Sequence, residues 1–156
     1  MFGFGWGGVY MHILDAQEIK QLEIFQDLTP EEWGEVYPLL NYIRTIEGEE
    51  LIREGDRAHT FFVILAGHFM IHYRDGRALT LSWRGDIIGW STVISPFQYT
   101  AAVTSLTKGG LLSIPGGRFL EMVQSNAALG EKLVKKINQT LHHRRTVDYC
   151  FRQLEE

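Results

Sequence analysis

The sequence predicts a mainly β domain of jelly-roll type with helices before and after it, and three observations carry that prediction. Between Tyr42 and Ile114 the apolar residues recur with period two, in short runs divided by glycine-bearing turns. Ahead of them stands a helix start, Thr29-Pro30-Glu31-Glu32, and after Pro115 the period returns to that of a helix. A chain of 156 residues is one domain's worth, enough to bury roughly two-thirds of its unfolded surface. Its 45% hydrophobic and 22% charged residues are ordinary for a globular protein, and its 16 glycines suit a turn-rich β fold better than disorder.

In chain order, the first ten residues have neither a basic stretch nor an apolar run, so they read as neither a signal peptide nor a membrane span. Residues 1–14 are expected to form a loose arm, with Met11 a second candidate start. From Asp15 the pattern is helical through Ile19, Leu22, Ile24 and Phe25. Thr29 then serves as N-cap, Pro30 as N1, and Glu32 at N3 closes a capping box, so a helix starts at Pro30 with an apolar stripe of Trp33, Val36, Tyr37, Leu39 and Leu40. Strands are expected at Tyr42–Ile46, Glu50–Ile52, Thr60–Leu65, Phe69–Tyr73, Leu79–Trp83, Tyr99–Thr104 and Leu111–Ile114. Asp75-Gly76 is a hairpin turn that fixes register between its flanking strands, and Gly67 breaks a long apolar run.

The stretch from Arg84 to Val103 reads as a strand end, a glycine turn, one turn of helix and a return strand. Gly89 lacks the Cβ that would block a ligand, and the amides of Trp90, Ser91 and Thr92 begin a helix with no intrahelical acceptor, a small anion cradle. Gly89, Trp90, Ser91, Thr92, Tyr99 and Thr100 are the candidate ligand-binding residues.

Gly85-Asp86-Ile87-Ile88-Gly89, a short helical turn, then Pro96 before Thr100-Ala101-Ala102-Val103 resembles the phosphate-binding cassette of the cyclic nucleotide-binding domain family, shared by regulators of the cyclic-AMP-receptor type. Gly55-Asp56 and Phe62-Val63-Ile64-Leu65-Ala66-Gly67 extend the resemblance from about Leu22 to about His143. The resemblance implies a jelly-roll (double-stranded β-helix) domain over 15–126, then a dimerisation helix over 127–156. In the family, a Glu after the second glycine accepts the ribose hydroxyl, and an Arg before the Ser/Thr-Ala step pairs with the cyclic phosphate. Here Trp90 and Tyr99 stand at those positions, so the carboxylate–ribose bond and the charge-assisted phosphate pair are both missing. Trp90 either plugs the pocket of the ribose or forms a stacking wall for a different ligand. Arg84, Arg118, Arg144 or Arg145 would replace the lost positive charge by folding inward.

After Pro115 come a short helix and a longer one, with Leu129, Leu133, Ile137, Leu141, Val147, Phe151 and Leu154 on one stripe, an apolar seam that invites self-association. Family transcription factors continue into a helix-turn-helix domain, whereas this sequence stops at Glu156, so no nucleic-acid binding is expected of the chain as given. A net charge of −4, with twelve acids against Lys20, Arg44 and Arg53 over residues 15–56, leaves no basic face for a phosphate backbone. The lone Cys150 makes no internal disulfide, which favours a reducing, cytoplasmic compartment, and it reads as a small hydrophobe in the seam.

No catalytic or metal-ligating set emerges. His68 and His72 fall on one face of an expected strand, but a cupin-like site needs a tight His-x-His pair with a further His and an acid. His142 and His143 read as helix-surface residues, and Ser91 and Thr92 lack a base nearby in sequence. The expected function is a non-enzymatic sensor or regulatory module with weakened or altered specificity, dimeric through its last helix, its ligand a cyclic nucleotide or another small anion. A ligand-free dimerising scaffold and a cupin-like metalloenzyme are the rival readings.

Overall fold

Two four-stranded antiparallel sheets are packed face to face in the computed structural model, which describes residues 16–155, with side chains described for 16–143. Expectations for residues 1–14, and for the side chains of Arg144, Arg145, Val147, Cys150, Phe151 and Leu154, lie outside the described residues. The strands are β1 (Asn41–Thr45), β2 (Glu50–Ile52), β3 (Thr60–Ala66), β4 (Phe69–His72), β5 (Ala78–Leu81), β6 (Ile87–Ile88), β7 (Ala102–Ser105) and β8 (Gly109–Pro115). One sheet has the order β1-β8-β3-β6 and the other β2-β7-β4-β5, the crossed connectivity of a jelly-roll. The hairpin β4–β5 pairs Met70 with Thr80 and His72 with Ala78, and Gly76 at φ +92° makes the turn that sets this register.

β3 reads as an unbroken apolar run, Phe61 to Leu65, because both of its faces are covered. Phe62 and Ile64 enter the space between the sheets with Ile52, Phe69, Ile71, Ile88 and Val103. Phe61, Val63 and Leu65 point the other way, into a second core formed with the helices. That layer is built from α1 (Ala16–Lys20), a 3-10 turn (Glu23–Phe25), α2 (Pro30–Val36), a second 3-10 turn (Tyr37–Leu39), α3 (Gly116–Ser125) and α4 (Ala127–Glu155).

The stripe of α4 corrects a sequence expectation. Leu129, Leu133 and Ile137 are at most 1% exposed and Leu141 only 7%, packed within the same chain on Ile24, Phe25, Val36 and Leu39. This part of the seam is therefore covered by the chain itself, each side chain contributing about 1.5–3 kcal/mol.

α2 begins as the sequence predicts. Thr29 Oγ1 accepts from the Glu32 amide at 3.2 Å, and Glu32 Oε1 accepts from the Thr29 amide at 2.9 Å. The same carboxylate oxygen accepts from Lys132 Nζ of α4 at 2.6 Å, so the cap of one helix also anchors another. The Lys132 hydrogen bond, then the Thr29 amide, hold the Glu32 carboxyl below the usual carboxylate range. A lowered folded pKa means stability that is present above the unfolded value of about 4.3 and lost as pH falls through the folded value. Glu32→Gln should accordingly melt below wild type at pH 7, the gap closing as both are taken below pH ~4; a gap independent of pH in thermal melts would contradict the ion pair.

Candidate functional site

The cassette is aimed by β6, whose Phe62↔Ile88 pairing puts Gly89 at the sheet's end. Gly89 takes φ +82°, a left-handed conformation that favours glycine, and a single 3-10 turn, Trp90–Val93, follows. Of the three amides expected to point outward, that of Thr92 bonds back to Gly89 O at 3.1 Å. The Thr92 hydroxyl donates to the same carbonyl at 2.8 Å, and the residue is 3% exposed. A Cβ at Gly116 would lie 1.7 Å from Thr92 Cγ2. Thr92 thus braces the cassette against α3.

Trp90 also faces the helices. Its ring meets Phe61 edge-on at 5.2 Å and Phe119 at 5.9 Å, and Phe61 meets Phe119 at 5.1 Å. The indole is therefore held in the helix-side core, while Trp90 also lines the cavity described below. Tyr99 is what covers Gly89. A Cβ at Gly89 would lie 3.3 Å from Tyr99 Cε1, 3.2 Å from Ile52 Cδ1 and 3.1 Å from Thr60 O. The phenol donates to Thr60 O at 2.6 Å and accepts from the Thr60 amide at 3.3 Å, which fixes the ring.

Tyr99 and Thr100, expected in a return strand, lie before it, because β7 starts only at Ala102. Tyr99's backbone is engaged by the β2–β3 loop, its amide donating to Asp56 O and its carbonyl accepting from the Gly55 amide.

Beside these residues opens a cavity of about 350 Å³. Gly89, Trp90, Ser91, Tyr99 and Thr100 line it, and Thr92 does not. Residues that sequence reading left out also line it, among them Ile52, Ile71, Leu79, Ile88 and Val103 from the strands, Leu141 from α4, and Tyr73 and Ser95. Strand alternation was a usable signal for Ile52, Ile71, Leu79 and Val103 but not for Ile88, whose neighbour Ile87 is apolar and buried too; for Leu141 there was none, since an α4 stripe residue looks the same wherever it is pointed.

The cations proposed as substitutes are elsewhere. Arg84 donates to Leu65 O and pairs with Glu18 at 3.4 Å, and Arg118 is exposed; neither lines the cavity. His68 lies exposed just before β4, its carbonyl accepting from the Leu106 amide, while His72 bonds Thr104 Oγ1 at 3.1 Å. Among the described residues no three His, Cys, Asp or Glu come together to hold a metal, so the metalloenzyme reading finds no ligand set there. No described helix is long and apolar enough to cross a membrane.

A jelly-roll whose β6 end carries a glycine-led turn beside a cavity is the architecture of a small-molecule binding module. The chain belongs to the cyclic nucleotide-binding domain family, whose model matches residues 44–126, more than half of the sequence. A cAMP-dependent protein kinase regulatory subunit of Colletotrichum orbiculare is 22% identical over 106 residues, 67% of this chain and 27% of that protein. The chain thus spans about a quarter of the length of that relative. Among solved structures, a cyclic nucleotide-binding protein of Geobacter metallireducens superposes with a TM-score of 0.76 at 22% identity, over 85% of this chain and 98% of the other. The sensor domain of the transcriptional regulator DNR from Pseudomonas aeruginosa gives 0.66 at 21% identity, over 83% and 94%. Catabolite activator protein of Thermus thermophilus gives 0.62 at 17%, over 85% and 63%. At these identities the structural likenesses establish the fold.

Proposed function

We propose that the chain is a non-enzymatic, cytoplasmic ligand-sensing module that has lost family-level affinity for cyclic nucleotides and signals through α4. The observation that supports this most is Leu141, which lines the cavity and also belongs to the helix-side core with Leu133 and Ile137. A ligand touching Leu141 acts directly on the packing of α4, and binding that favours one packing over another shifts the population between them. The rival scaffold reading draws on the Tyr99 ring over Gly89; the open cavity beside that ring favours a ligand.

The module works as a homodimer in this reading. With Leu129 to Leu141 buried internally, the contact falls on the flank of α4 beside that stripe. There Val134 and Gly130 border, with Val123 of α3, an open and mainly apolar hollow of about 780 Å³.

Cyclic nucleotide titration tests the loss of affinity. Each hydrogen bond to a charged group is worth about 1.5–3 kcal/mol, so lacking both the Arg and the Glu should weaken cyclic AMP binding by about two to four decades relative to a complete cassette. Calorimetry is expected to give millimolar dissociation constants for cyclic AMP and cyclic GMP; a low-micromolar value for either would overturn the reading.

A further inference from the structure

We infer that the cavity beside the cassette takes an uncharged ligand: a compact molecule with an aromatic ring and one hydrogen-bonding group. The inference rests on the sensing role proposed above and replaces the small anion that the cassette's sequence suggests.

Charge carries the argument. Among the described residues lining the cavity, none is Arg, Lys, His, Asp or Glu. Arg77 comes nearest in kind, its guanidinium 4.5 Å over the ring of the lining residue Tyr73, but it is paired to Asp75 at 2.7 Å and is not part of the lining. An anion entering this space would lose its hydration and meet no counter-charge, a penalty that a neutral molecule escapes. The space at the Gly89 Cα is taken as well: a Cβ there would lie 3.3 Å from Tyr99 Cε1 and 3.2 Å from Ile52 Cδ1, and the phenol's donor is held by Thr60 O. That hydroxyl is not free to replace an Arg.

Size and shape narrow the class. At about 350 Å³ the space lies at the small end of the ~300–1,000 Å³ typical of small-molecule pockets. Its inner wall is aliphatic, from Ile71, Leu79, Ile88 and Val103, with Leu141 across from the strands' contribution on α4. Flat surfaces come from Tyr73 and Tyr99, which suit a ring. Ser91 and Ser95 at the cassette side offer hydroxyls that bond to nothing else among the described residues, enough to orient a carbonyl or hydroxyl of a ligand.

Two pairs of probes matched in size and differing in charge test the inference by calorimetry on the full chain at pH 7: indole-3-acetamide against indole-3-acetate, and benzamide against benzoate. At least one amide is expected to bind, and its carboxylate to bind at least about tenfold more weakly. Tyr99→Arg should invert the order, and Tyr99→Phe should leave it in place. A carboxylate that binds wild type as tightly as its amide overturns the inference, as does an absence of heat from both amides at millimolar concentration. If Tyr99→Arg does not fold, the wild-type pairs decide alone. Hydrogen exchange along α4 separates this inference from the sensing role. An amide that binds while α4 exchanges at an unchanged rate supports the ligand class and overturns signalling through the helix.

Discussion

Ile137→Asp is expected to abolish the native fold, not merely to separate two copies of the chain. Ile137 is 1% exposed, inside the core shared by α4, α2 and β3. Truncating such a side chain costs about 2–5 kcal/mol, and an unpaired buried carboxylate adds several more, against a total stability of about 5–15 kcal/mol for an ordinary domain. Circular dichroism should show no cooperative melting transition. Val134→Asp, on the half-buried flank beside the stripe, is the contrast: it should melt close to wild type while light scattering after size exclusion reports a monomer. A folded Ile137→Asp monomer with a wild-type melt would return the dimer seam to the stripe that the sequence suggested.

Trp90→Glu is expected to lose stability without gaining cyclic nucleotide affinity. In sequence terms it restores the family's ribose-binding carboxylate. In the structure it removes the ring that packs against both Phe61 and Phe119 and puts a carboxylate beside two phenyl groups. The loss should be on the order of 3 kcal/mol, the lower end for truncating a Trp because this ring is only partly buried, and should shift the urea midpoint by about 1–3 M. Tyr99→Arg lies on the other side of the cassette and disrupts no aromatic cluster. Alone it should raise cyclic AMP affinity by about one to two decades, one charged hydrogen bond's worth. An unchanged midpoint for Trp90→Glu would remove the indole from the helix-side core.

These variants show where the sequence was sufficient. Local rules fixed what local chemistry controls: the Thr29–Glu32 cap, the Asp75-Gly76 hairpin and the left-handed Gly89 were all readable because each is determined within four residues. The jelly-roll was readable from its strand spacing, although β3 concealed its two faces, since Phe61 to Leu65 are apolar on both sides. The directions of side chains in the cassette were not readable. Whether Trp90 turns to Phe119 or into the barrel depends on where α3 lies, and Tyr99's hold on Thr60 spans 39 residues. The stripe on α4 had the right period, and from Leu129 to Leu141 its partner is the chain's own core, because periodicity gives a helix an apolar face and does not say which surface covers it.

The double use of Glu32 has a consequence for how the chain is made. Its carboxylate caps α2 and holds Lys132, 100 residues later in the sequence. At roughly 5–20 residues per second, a ribosome takes about 5–20 s to cover that distance. For most of that interval Ile24, Phe25, Val36 and Leu39 have been synthesised while Leu129, Leu133 and Ile137, which cover them, have not. The nascent chain therefore carries an exposed greasy surface near its beginning until nearly its last helix arrives, and this is the period in which a chaperone, or another nascent copy, would meet it.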